Sequence, residues 1–127
     1  MGKNVIFTGA WKSENSGVKV SVPLILFNED DNQIVYCPAL EVTGYGKTED
    51  EAKESFETSL SMFFEYTMHK KTIASELTKL GWKFHGKHKP AYPPSMQHLL
   101  ENNDNFNRIF NGHNFRKVDQ QIEIPMA

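Results

Sequence analysis

One cysteine in 127 residues excludes an intrachain disulfide framework and fits a reducing compartment. A formal net charge of −2 is too small to argue for a polyanionic partner overall. No apolar run approaches the ~20 residues that span a bilayer, and no charged start leads into an apolar signal core, so the chain reads as cytoplasmic.

The length is that of one domain, able to bury a little under ~70% of its unfolded surface without staples. Val5-Ile6-Phe7 reads as a weak strand that Trp11 anchors to the body, and Ser13 to Gly17 as a turn. Val18 to Phe27 is the clearest strand. Val18, Val20, Val22 and Leu24 alternate with Lys19, Ser21 and Pro23, then Leu24-Ile25-Leu26-Phe27 runs apolar throughout. Such a run belongs to a strand covered on both faces. Pro23 has no N–H for a ladder and points to an edge side or a bulge. Asn28 to Asn32 is an acidic turn, and Ile34-Val35-Tyr36 is the returning strand, stopped by Pro38. Glu41 to Tyr45 reads as a third short strand, closed by Gly44-Tyr45-Gly46.

A long helix follows. Thr48, three residues before Glu51, makes a capping box: the hydroxyl accepts from the backbone N–H at the third helical position, and the glutamate reaches back to the cap. Glu49, Asp50 and Glu51 set negative charge at the positive end of the helix dipole. Ala52, Phe56, Leu60, Phe63, Phe64 and Met68 recur at helical spacing as one apolar stripe, which is first of all core. Thr72 is the expected cap of a second, short helix with Ile73, Leu77 and Leu80 on one face and Gly81 as its left-handed stop. Trp82-Lys83-Phe84 alternates like a strand. Gly86 to Pro90 is basic, and Lys87 to Pro94 is the expected joint between a core of residues 1–89 and an extension of residues 90–127 packed on it. In that extension, Ser95 caps Met96 to Asn102, Asn105 to Phe110 turns Phe106, Ile109 and Phe110 inward, and Phe115, Val118, Ile122 and Ile124 mark an extended segment.

Chemistry-bearing residues are few. His85 and His88 are three apart, but no second cysteine and no His-Glu-x-x-His pattern accompanies them, so no metal or other cofactor is expected. Cys37 lies at a strand end with no cation beside it in sequence and reads as buried and inert. Gly44-x-Gly46 lacks the phosphate-loop pattern, the acids after it would repel a phosphate, and turn geometry accounts for the glycines. Between residues 70 and 89, six lysines face one acid, and between 49 and 57 five acids face one lysine. Opposed patches favour self-association or a charged partner. Lys79, Lys83, Lys87 and Lys89, with Trp82 and Tyr92, are the candidate contacts to nucleic acid or an acidic partner; packing under the helix is the alternative place for Trp82 and Phe84.

The series Tyr36, Pro38-Ala39-Leu40, Gly46-Lys47-Thr48, Glu51-Ala52, Phe56 and Leu60 resembles the HicB-like antitoxin domain, over roughly Val18 to Met68. The resemblance implies a truncated ribonuclease-H-like α+β fold: a small antiparallel sheet of three to four strands on one long amphipathic helix, then a further strand for which Trp82 to Phe84 is the candidate. It implies a non-catalytic protein that self-associates and binds a protein partner, in paired systems a small RNA-cleaving toxin of the HicA type. From Pro90 onward the cations are Arg108, Arg116 and Lys117 and no DNA-binding pattern occurs. The expectation is an α+β protein-interaction module without catalysis, either an antitoxin or an orphan homologue. A nucleic-acid-binding module built on residues 79–92 is the alternative.

Overall fold

The structure, a computed structural model, describes residues 17–84 and 91–125. The expected strand at Val5 to Phe7, Trp11, and the basic stretch with His85, Lys87, His88 and Lys89 fall outside those residues. The chain is α+β. Strand β1 (Gly17–Glu29), β2 (Asn32–Cys37) and β3 (Val42–Gly46) form an antiparallel meander. Helix α1 (Glu49–His69) and the short α2 (Ile73–Lys79) follow. Two-residue strands β4 (Lys83–Phe84) and β5 (Ala91–Tyr92) pair with each other. Helices α3 (Met96–Asn102) and α4 (Asp104–Gly112) lead to β6 (Phe115–Pro125), which returns to lie antiparallel along β1 from Gly17 to Phe27. The main sheet has the order β3-β2-β1-β6.

Strand alternation divides the core into two layers. Val22, Leu24 and Leu26 of β1, with Val35 and Cys37 of β2, meet Ala52, Phe56, Leu60 and Phe64 of α1. Ile25, Phe27 and Tyr36 point to the other face and meet Leu99, Phe106 and Ile109 of α3 and α4. This is why Leu24 to Phe27 is apolar without interruption: both of its faces are covered. The residues after Pro90 thus supply the second helical layer and the fourth strand.

The local elements follow their residues closely. Asp30 and Asp31 both adopt positive φ (53° and 66°), as a two-residue hairpin turn with right-handed strand twist requires. The β1–β2 ladder starts at Ile25, so Pro23 sits beyond it and its missing N–H costs no bond on that side. At α1, Thr48 Oγ1 accepts from Glu51 N at 3.1 Å. Glu51 Oε1 reaches one residue further back than a strict capping box, accepting from Lys47 N at 2.8 Å. Ser95 and Asn103 cap α3 and α4 with their side chains, accepting from His98 N and Phe106 N.

Several expectations need correction. The strand beside β1 after the main helix is Phe115–Pro125, not Trp82 to Phe84, because only the longer segment can run the length of β1. The third strand begins at Val42; Glu41 belongs to the hairpin loop, with φ 55°. Thr72 occupies the cap position of α2 but makes no side-chain capping bond. Phe110 is 38% exposed, packing its edge against Phe106 and Phe115 rather than entering the core. Gly44 serves close approach more than turning: a Cβ there would stand 2.1 Å from Phe56 N, so only glycine lets α1 lie against β3.

Candidate functional site

The outer side of α1 is the least ordinary surface among the described residues. Met62 and Tyr66 are each 63% exposed. They stand four residues apart, on one side of the helix, and half a turn from the buried Leu60 and Phe64. Glu65 is exposed beside Met62, and Glu54 is exposed about two turns toward the start of α1. Lys70 Nζ lies 5.8 Å from the Tyr66 ring centroid, over its face. A flexible thioether and an amphipathic ring, with the Glu65 carboxylate beside one and the Lys70 ammonium over the other, suit contact with a protein surface. At the helix start, Glu49 ties α1 to the sheet through Arg116 at 2.7 Å and bonds Lys53 at 3.2 Å. Partial burial works to raise its carboxyl, and the Lys53 and Arg116 cations outweigh this and hold it below the usual range.

A second cluster joins the C-terminal part to the sheet. The Tyr36 hydroxyl and the Asn103 side-chain amide both donate to Glu41 Oε2. Asn103 Nδ2 also donates to Tyr36 Oη at 3.0 Å, while its Oδ1 caps α4. Burial, then the bond to the Glu41 carboxylate, pushes the Tyr36 phenol above its ordinary range. A hollow of about 270 Å³ opens beside the cluster, where Lys79, His98 and Asp104 also face it. It falls short of the ~300–1,000 Å³ of drug-sized sites, and its charges are of both signs. The cluster reads as a latch.

The structure separates the residues expected to contact nucleic acid. Trp82 is 2% exposed, and its indole N–H donates to Ala39 O at 2.7 Å, so it belongs to the core beneath α1 and has no ring face to offer a base. Lys83 and Tyr92 are cross-strand neighbours in the β4–β5 pair, both exposed. Lys79 is exposed near the end of α2 and pairs with Glu76 at 3.5 Å. Lys87 and Lys89 lie outside the described residues. Thr48 and Glu51 form the helix cap described above.

Cys37 is wholly buried, and burial pushes its thiol up to about 12. Among the described residues no three His, Cys, Asp or Glu side chains converge in a metal-binding arrangement. No described helix is long and apolar enough to cross a membrane. Met62, Tyr66 and the Glu41 latch were not singled out by sequence. For Met62 and Tyr66 a signal existed: apolar residues at the wrong phase of an otherwise clean stripe. For the latch none did, since Glu41 and Asn103 are 62 residues apart. Comparison of the chain with family models, with curated proteins and with solved structures returned no match.

Proposed function

We propose that this chain is a non-catalytic recognition module of the HicB-like kind, which self-associates and binds a protein partner through the outer side of α1. The partner class is a small basic protein, of which a HicA-type RNA-cleaving toxin is the foremost candidate. The observation that carries the reading is the pair Met62 and Tyr66, exposed at 63% on the solvent side of α1. Large, rigid or adaptable apolar anchors within a polar rim are where interface energy concentrates. The acids of the first half of α1, Glu49, Asp50, Glu51, Glu54 and Glu57, add steering toward a basic surface. The capped α1, the meander it covers and the Pro38-Ala39-Leu40 loop are the parts that resemble the family. Cys37 is sealed from solvent and is assigned no catalytic role.

The alternative, a nucleic-acid module, has one observation in its favour: Lys83 and Tyr92 stand side by side on β4–β5. A salt series decides. The chain is titrated with a purified HicA-type toxin, and separately with a single-stranded RNA oligonucleotide. Protein binding that persists as salt rises, and that Tyr66→Glu weakens by tenfold or more, supports the reading. Tight oligonucleotide binding whose affinity falls steeply and linearly in log–log form would replace it with the alternative.

A further inference from the structure

The two edges of the main sheet are treated differently. At β3 the edge is closed by α1: the Tyr45 N–H donates to Ser55 Oγ at 3.2 Å, and the helix backbone lies against Gly44. Along the outer side of β6, no described residue is paired. An edge of this length that no described residue covers is a template for another strand.

The register says which polar groups face outward. Glu29 and Asn32 close a two-residue turn, and such a closing pair exchanges both of its backbone hydrogen bonds. Bonded and non-bonded pairs alternate from there, so odd-numbered residues of β1 bond β2 and even-numbered ones bond β6. In β6, Val118, Gln120 and Ile122 therefore bond inward, while Lys117, Asp119, Gln121 and Glu123 turn their N–H and C=O groups out. Two details agree. The Gln120 side-chain amide donates to the Gln121 carbonyl at 3.3 Å, and Pro23 opposes Asp119, a pair that needs no proline N–H.

The geometry points to a twofold dimer in which β6 pairs antiparallel with β6 of a second copy, centred on Gln120. A twofold axis normal to the sheet keeps like faces together, so paired residue numbers must sum to an even number. Gln120 is the middle of Phe115–Pro125 and gives the longest overlap. In that register Lys117 opposes Glu123, Val118 opposes Ile122, and Asp119 opposes Gln121. Moving the centre to Asp119 sets Asp119 against its own copy, and moving it to Gln121 sets Asp119 against Glu123. Like charges directly opposite destabilise a strand pair, so the sequence selects the Gln120 register over its neighbours.

Two side chains argue for the second copy as the occupant. Glu123 is 7% exposed, yet no ion pair joins it to a described cation, even though Lys19 stands across the ladder. Its side chain lies over Gly17, and in this register the second copy's Lys117, which bonds Asp119 at 3.0 Å within its own chain, stands opposite it as an opposite-charge pair. Val118 shares a face with the buried Ile122 but is 41% exposed, and the dimer sets the second copy's Ile122 beside it. This deepens the self-association in the proposed reading, but it needs no other protein, so failure to bind a basic partner leaves its test untouched.

The test is light scattering of the full chain at tens to hundreds of micromolar, with three kinds of variant. The wild type should be a dimer. Gln121→Pro removes an outward N–H and no bond to β1, so it should give a monomer that still melts cooperatively, as the wild type does when diluted to a monomer. Lys117→Glu should weaken the dimer tenfold or more, and Lys117→Glu with Glu123→Lys should restore it. Gln120→Cys at the axis should crosslink to a covalent dimer under mild oxidation, since opposed Cβ atoms at such a pair lie ~4.5–5.5 Å apart, and the buried Cys37 does not compete. A wild-type monomer at these concentrations overturns the proposal. So does a dimer that Gln121→Pro and Lys117→Glu leave intact, or one that crosslinks through Val118→Cys in place of Gln120→Cys.

Discussion

Phe106→Ala tests whether the C-terminal helices are structural partners of the sheet or an appendage to it. Phe106 is fully buried against Ile25, Phe27 and Tyr36, on the face away from α1. Removing a buried phenylalanine ring costs about 3–5 kcal/mol, from lost transfer energy and the cavity left behind. The unfolding entropy of a 127-residue chain is about 0.27 kcal/mol/K at ~2.1 cal/mol/K per residue, so a loss of about 4 kcal/mol lowers Tm by roughly 15 °C. Leu60→Ala, on the α1 face, serves as the reference, with an expected cost of about 2–5 kcal/mol. Both should melt in one transition by calorimetry and by circular dichroism. If Phe106→Ala moves Tm by less than about 3 °C, or splits off a minor early transition while the main one stays, α3 and α4 are not part of the cooperative unit and the two-layer core is wrong.

Three further outcomes are expected. Thr48→Ala removes the acceptor for Glu51 N and should cost roughly 0.5–2 kcal/mol in urea denaturation; no change would dismiss the cap. Asn103→Ala removes both the α4 cap and the bond to Glu41, and should cost more than Ser95→Ala, which loses a cap alone. Cys37 keeps its proton in the folded chain up to about 12, against 9.0 unfolded, and Tyr36 is also raised. Both groups hold protons more tightly when folded, so their contribution is complete below pH 9 and declines as pH climbs toward 12. Alkaline melts should show that decline, Cys37→Ser should shrink it, and Cys37 should resist iodoacetamide until the chain unfolds.

How much of this was legible in the sequence varies by element. Helix α1 was, because its cap, its acidic first turn and its stripe all report the same boundaries within a few residues of one another. The double-sided burial of Leu24 to Phe27 was also legible, as an unbroken apolar run. The identity of the layer on the second face was not: Phe106 and Ile109 mark a buried side without saying what they meet. Nor was the place of β6, since pairing between Val22 and Gln120 across nearly the whole chain leaves no local trace. Trp82 carried two opposite readings, and burial with a bond to Ala39 decides between them. Tyr66 shows the reverse case, a residue whose meaning lies in being left outside.

The claim that most depends on α1's outer side is partner recognition. Its direct measurement is a calorimetric titration of the full chain with a purified HicA-type toxin, for wild type and for Met62→Glu with Tyr66→Glu. Micromolar or tighter binding by the wild type, weakened a hundredfold or more in the double variant while its melting profile holds, is the expected result. Equal affinity in both proteins, or no binding by either, would contradict it.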